Sequence, residues 1–227
     1  MKQVIIIFGP PGAGKGTQSE LLAEKLGLYL FETSKFLEIS FRSKERFVEF
    51  GGEKFDMSAE KKFWESGKLN SPPFVTKLVI EKIKELYEKG EDLIFAGSPR
   101  TIYEAERVTP VLEELFGKEN IKIFLIEINA ETTIFRNSHR KICELMRHSI
   151  LFNKETENLT LCPLDGSKLA KRKDLDDPET IKVRIKEYNE RTLPMVEYFN
   201  KNGIEVKKIN GEQAVANVFN DILNSLK

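Results

Sequence analysis

The sequence predicts an α/β fold in which a parallel sheet of about five strands carries helices on both faces. Three observations predict it. Apolar strand-like runs alternate with helix-period segments along the chain. The first run, Val4-Ile5-Ile6-Ile7-Phe8, has no polar position, as a strand buried on both faces requires. Two glycine-bearing turns, 9–16 and 97–101, directly follow strand-like runs and so fall at the carboxyl ends of strands, where such sheets bind ligands. At 227 residues, 40% of them hydrophobic, the chain can bury one core and still carry small insertions.

The turn after the first strand reads Gly9-Pro10-Pro11-Gly12-Ala13-Gly14-Lys15-Gly16-Thr17-Gln18. Its glycines let successive N–H groups converge on an anion at the N-terminus of the next helix, and Lys15 adds a mobile positive charge. The spacing fits the phosphate-loop pattern, with Gly16 in the usual Ser/Thr slot and the hydroxyl that can reach magnesium at Thr17. The helix over 18–26 is expected to turn Leu21, Leu22 and Leu26 inward. Residues 28–31 then read as a short strand, and Thr33-Ser34 as the N-cap of a helix over 35–41. Gly51-Gly52 breaks the pattern, 58–65 reads helical, and Ser71-Pro72-Pro73 opens a helix to Gly90, so this stretch is expected to be a helical excursion.

Strand 93–96, turn 97–101, helix 103–115 and strand 121–128 resume the alternation. A helix from Glu131 carries Arg136 and Arg140. The pattern degenerates over 141–177 into a second excursion holding both cysteines, Cys143 and Cys162. A long helix from Pro178 towards Phe199, a strand over 203–209 and, after Gly211, a helix to Leu226 complete the chain.

Lys+Arg and Asp+Glu balance at 36 each, so no global field attracts nucleic acid or an anionic membrane, and any phosphate site is a local cluster. No apolar run reaches membrane-spanning length and the first residues enter a strand at once, which places the chain in the cytoplasm. Two cysteines are too few for a disulfide framework.

The phosphate loop, Gly97-Ser98-Pro99-Arg100-Thr101, Lys171-Arg172 before the acidic 176–180 segment, Glu187-Tyr188-x3-Thr192-x-Pro194 and Ile209-Asn210-Gly211-x2-Ala214-Val215 together resemble the adenylate kinase family, nearly end to end. The resemblance implies a P-loop NTPase-type three-layer fold. Its core would be 1–32, 76–136 and 178–227, with a helical monophosphate-binding insertion over 33–75 and a small lid over 137–177. It also implies a monomer that converts ATP and AMP to two ADP with Mg2+.

Carried over position by position, ATP would meet Gly12, Ala13, Gly14, Lys15, Gly16, Thr17, Arg136, Arg140 and Gln213. The monophosphate would meet Thr33, Lys68, Asn70, Gly97, Ser98, Arg100, Glu104, Arg172 and Arg184. Lys15, Arg100, Arg140, Arg172 and Arg184 would act on the moving phosphoryl group. That chemistry needs two anions aligned, spreading charge neutralised and water excluded, and the fixed fork of arginine suits each task.

Four positions depart from the family pattern. Glu38 replaces a monophosphate-binding arginine, and Ala96 and Lys35 replace aspartates near magnesium's water shell. Glu104 stands where the family reads the base with glutamine, so guanine or cytosine becomes an alternative to adenine. A kinase for GMP or CMP, or a nucleotide-binding protein with weakened catalysis, therefore stands beside the adenylate kinase reading.

Cys143-x2-Met146 and Cys162-x2-Asp165-Gly166 resemble the zinc-bearing lid of some family members, with Met146 in place of a thiolate. Two readings stand. His148 completes a zinc site with Cys143, Cys162 and Asp165, or Cys143, Met146 and Cys162 form a small apolar cluster without metal.

Overall fold

Strand β1 (Val4–Phe8) is buried along its whole length, and its alternation serves two cores at once. Val4, Ile6 and Phe8 join one apolar cluster, while Ile5 and Ile7 join another on the opposite face. The computed structural model describes residues 2–42, 45–50, 52–171 and 176–226.

From β1 the chain enters α1 (Lys15–Leu26), then β2 (Tyr29–Phe31) and α2 (Thr33–Phe41). Leu22 is fully buried, whereas Leu21 is exposed, contrary to the inward face expected of it. Thr33 is the first helical residue and Glu32 takes the cap position, its carboxylate paired with Lys35 across the first turn. Next come β3 (Phe47–Phe50), β4 (Glu53–Asp56), α3 (Met57–Glu65) and α4 (Pro72–Glu88). The first excursion thus carries an antiparallel hairpin besides its helices. Gly52 sits at its tip with φ 76°, and Gly51 lies outside the described residues.

Strand β5 (Leu93–Ala96), α5 (Ile102–Phe116), β6 (Ile121–Glu127) and α6 (Ala130–His139) follow. The second excursion holds β7 (Lys141–Cys143), β8 (Ser149–Ile150) and β9 (Leu169–Ala170), a small antiparallel sheet in the order β8-β7-β9. The expected long helix is divided into α7 (Pro178–Glu187), a π turn (Tyr188–Thr192) and α8 (Met195–Lys201), with Pro194 at the second break. Strand β10 (Val206–Asn210) and α9 (Val215–Leu226) end the chain.

The main sheet is parallel with strand order β10-β6-β1-β5-β2. Helices α4, α5 and α8 pack Phe74, Ile83, Val108, Leu112 and Phe199 on one face, and α1 and α9 pack Leu22 and Ile222 on the other. This three-layer arrangement matches the fold class expected from the sequence. Because all five strands run one way, the loops after β1 and β5 open at the same edge. No helix among the described residues is long and apolar enough to cross a membrane.

Candidate active site

The loop after β1 is shaped by backbone that only glycine adopts without strain. Gly12 has φ +81°, and a Cβ there would stand 2.6 Å from Asn137 Nδ2. Gly14, also left-handed, caps α1 and leaves that helix's first N–H groups directed at the loop. Lys15 folds back over the loop, its ammonium donating to the carbonyls of Gly9 and Pro10 at 2.8 Å each. Its charge is thereby held at the helix N-terminus, where an anion binds.

A cleft of about 550 Å³ opens in front of this loop. Its walls include Gly12, Gly14, Lys15, Gly16 and Thr17 from the phosphate loop, and Gly97 and Arg100 from the loop after β5. Lys68 from the first excursion, Arg140 at the end of α6 and Arg184 on α7 complete the cationic lining expected from the sequence. Arg172, expected among them, lies outside the described residues. Several fixed cations around one cleft between loops make a site for a polyanion.

Arg100 is oriented by its own loop, with Nε donating to Gly97 O at 2.7 Å. Desolvation pulls its pKa below the ordinary arginine value, and the charge of Glu104 partly opposes the shift. A guanidinium stays cationic all the same, so this is a half-buried positive charge that an anionic group would relieve.

Glu104 departs from the role expected of it. It is buried off the cleft wall, and its carboxylate accepts from Arg100 N at 3.1 Å, Thr101 Oγ1 at 3.0 Å and Ser98 Oγ at 3.4 Å. Thr101 Oγ1 in turn accepts from Glu104 N at 3.2 Å, a reciprocal cap at the start of α5. Burial raises its pKa, with the bonds from Arg100 and Thr101 opposing.

Six further expected residues stand off the cleft lining. Asn70 is buried and donates to the main-chain oxygen of Glu60 at 2.7 Å and to its carboxylate at 2.9 Å, so it ties α3 to the start of α4. Arg136 bridges Gly12 O at 3.4 Å and Gly211 O at 2.9 Å, a strut between the phosphate loop and the loop after β10. Gln213 bonds Asp221 on α9. Ala13 packs in the second core cluster. Thr33 is buried, and its hydroxyl has no hydrogen-bond partner among the described residues. Ser98 is also buried, under the loop with Glu104.

Sequence reading missed several groups that do line the cleft. Glu187, Tyr188 and Thr192 follow Arg184 at intervals of three, four and eight, one helical face that the position of Arg184 alone would have exposed. Thr192 Oγ1 donates to Arg100 O at 2.8 Å, which ties the π turn to the loop after β5. Burial pushes the Tyr188 phenol up to about 12, with Glu127 next, so it stays a neutral donor. Glu20 follows Thr17 by one turn and shares the cleft with Glu32. Its pKa is raised by desolvation first and by the charge of Glu32 second.

In the second excursion, Cys143, His148, Cys162 and Asp165 converge, their ligating atoms all within 4.8 Å of one another. His148 Nδ1 lies 3.5 Å from Cys143 Sγ, 3.6 Å from Cys162 Sγ and 3.3 Å from Asp165 Oδ2. Zinc–ligand bonds of about 2.0–2.3 Å set tetrahedron edges near 3.3–3.8 Å, so the cluster has the dimensions of one metal site. Met146 points away, 63% exposed, which removes it from the apolar cluster offered as the metal-free reading.

Comparison with known proteins gives one consistent result. A family model described as adenylate kinase matches residues 7–204. The chain is 34% identical over 230 residues to the adenylate kinase of Mycoplasma capricolum, covering 98% of this chain and 99% of that protein. It is 32% identical over 230 residues to that of Mycoplasma mycoides, with the same coverage. The similarity to the adenylate kinase of Petrotoga mobilis is 32% over 227 residues, 98% of this chain and 97% of that one.

Proposed function

The chain belongs to the adenylate kinase family, and we propose that it transfers the γ-phosphoryl group of Mg-ATP to AMP, giving two ADP. The observation that carries this reading is the convergence of Lys15, Arg100, Arg140 and Arg184, from four separate elements, on one cleft in front of a phosphate loop. A binding site for one nucleotide needs the loop and its lysine. Arginines reaching in from α7 and from the loop after β5 suit a second anionic substrate.

In this reading the donor phosphates sit on the N–H groups of the phosphate loop, and Lys15 exchanges the carbonyls of Gly9 and Pro10 for phosphate oxygens. Arg100, desolvated and braced by Gly97, takes the acceptor phosphate. Arg140 and Arg184 neutralise charge on the phosphoryl group in flight, and Arg172 is assigned to the same task. Closure of the lid excludes water, so that the acceptor and not hydroxide receives the group. Mg2+ bound with ATP would supply positive charge to offset that of its phosphates. The Thr17 hydroxyl and the carboxylates of Glu20 and Glu32 are the cleft oxygens suited to it and its water shell.

AMP is proposed over GMP and CMP because the one residue that argued for another base, Glu104, has its carboxylate committed to the loop 98–101. For the lid we propose a structural zinc held by Cys143, His148, Cys162 and Asp165, supported by the spacing of the four donors. A coupled assay of ADP formation from Mg-ATP with AMP, GMP and CMP tests the function. The highest kcat/KM is expected with AMP. ATP binding without ADP formation from any monophosphate would replace the kinase with a nucleotide-binding protein.

A further inference from the structure

Glu38 on α2 accepts a 3.2 Å hydrogen bond from Arg147 Nη2, a contact across 109 positions of chain that joins the first excursion to the lid turn. Arg42, one turn on along the same helix, is the local partner that helix geometry offers, yet Glu38 meets Arg147 instead. Both residues line the cleft.

The backbone around Arg147 is tied down by its neighbours. The residue lies in the turn between β7 and β8, which is fixed by Cys143 N donating to His148 O at 3.1 Å and Leu145 N donating to Ser167 Oγ at 3.2 Å. Among the described residues it is the non-glycine with positive φ, at 60°. The turn therefore presents a guanidinium in a backbone state that glycine would adopt more easily.

We propose that Glu38 and Arg147 form a latch that holds the lid turn against the monophosphate-binding insertion, with Arg147 as a positioning residue for the acceptor nucleotide. With 47% and 25% of the two side chains exposed, the pair is partly screened and its effect is modest. A modest effect suffices. Where the closed state is the minor one, a factor of a few in the closure equilibrium changes apparent acceptor affinity by about the same factor. Only the kinetic consequence rests on the kinase reading, since the geometry stands without it.

Trp64 is the single tryptophan, sits on α3 and lines the cleft. Energy transfer from it to an acceptor dye on Lys154→Cys in the exposed lid loop reads closure in the nucleotide-free protein, the native thiols being buried. Arg147→Glu and Glu38→Arg are each expected to lower transfer, and the double reversal to restore it. Sodium chloride at about 0.5 M should lower transfer in the parent protein and leave Arg147→Gly, which has no charge pair to screen, unchanged. Arg147→Gly removes the charge while relaxing the turn, so it should lower transfer without lowering thermal stability. In turnover, Arg147→Gly should raise the acceptor KM about 2- to 5-fold with no fall in kcat. Unchanged transfer in both Arg147→Glu and Arg147→Gly would overturn the latch, as would a fall in kcat with KM unmoved. Absence of kinase activity would overturn the function proposed above and leave the transfer measurement intact.

Discussion

The carboxylate of Glu104 hangs from the backbone of Arg100: Arg100 N donates to Glu104 Oε2 at 3.1 Å, while the Arg100 side chain turns to the cleft. One acidic residue thus shapes the loop that presents the cation.

Glu104→Gln is expected to leave the AMP, GMP and CMP kcat/KM ratios within about 3-fold of the parent, because the side chain braces the loop and does not face the cleft. Its pH signature follows from burial, which raises the folded-state pKa above the ordinary 4.5. The folded chain then binds the extra proton, so this group's contribution to stability is greatest at low pH and falls as pH rises from about 4.5 through the folded pKa. Glutamine abolishes that slope. Urea denaturation across this window checks it, and a tenfold or larger shift in the ratios would return Glu104 to the base site.

Lys15→Ala should lower kcat/KM by at least about 100-fold while far-UV circular dichroism stays unchanged. The ammonium donates to the carbonyls of Gly9 and Pro10, both in the phosphate loop. Activity near that of the parent would remove Lys15 from the mechanism.

Gly12→Ala should destabilise the chain by about 1–3 kcal/mol, since it combines a left-handed φ with a Cβ 2.6 Å from Asn137 Nδ2. Thermal denaturation measures this, and an unchanged midpoint would show that Asn137 yields without cost.

What could be read from the sequence followed the strength of local patterning. The strands Val4–Phe8 and Leu93–Ala96 are unbroken apolar runs, and Ile121–Glu127 is apolar but for Lys122 and Glu127, because each lies inside the sheet. The strands of the second excursion are two or three residues long, too short for any alternation to register, so its cysteines, His148 and Asp165 were the legible features there. The hairpin of Phe47–Phe50 and Glu53–Asp56 did carry a signal, its Gly51-Gly52 pair, which reads equally as a break. In the site, residues tied to short motifs were legible: Lys15, Thr17, Gly97, Arg100, Arg140 and Arg184 meet at one cleft. Asn70, Glu104 and Arg136 turn instead to main-chain carbonyls and neighbouring loops. Motif position fixes a backbone place, while side-chain direction is decided by long-range partners such as Glu60 and Gly211.

Purification without chelator should yield about one zinc per chain, lost in Cys143→Ser or Cys162→Ser together with a lower melting temperature. Met146→Ser should leave both unchanged, because Met146 is exposed and outside the cluster. Elemental analysis decides, and less than about a tenth of an equivalent in the parent protein would contradict the zinc site.

A quenched single-turnover reaction with ATP radiolabelled at its γ-phosphate, run with excess AMP, tests the central claim most directly. The label should move into the β-phosphate of ADP formed from AMP, and Arg100→Ala should slow that transfer by at least about 100-fold while ATP binding persists. Label released as inorganic phosphate at one rate with and without AMP would contradict the account.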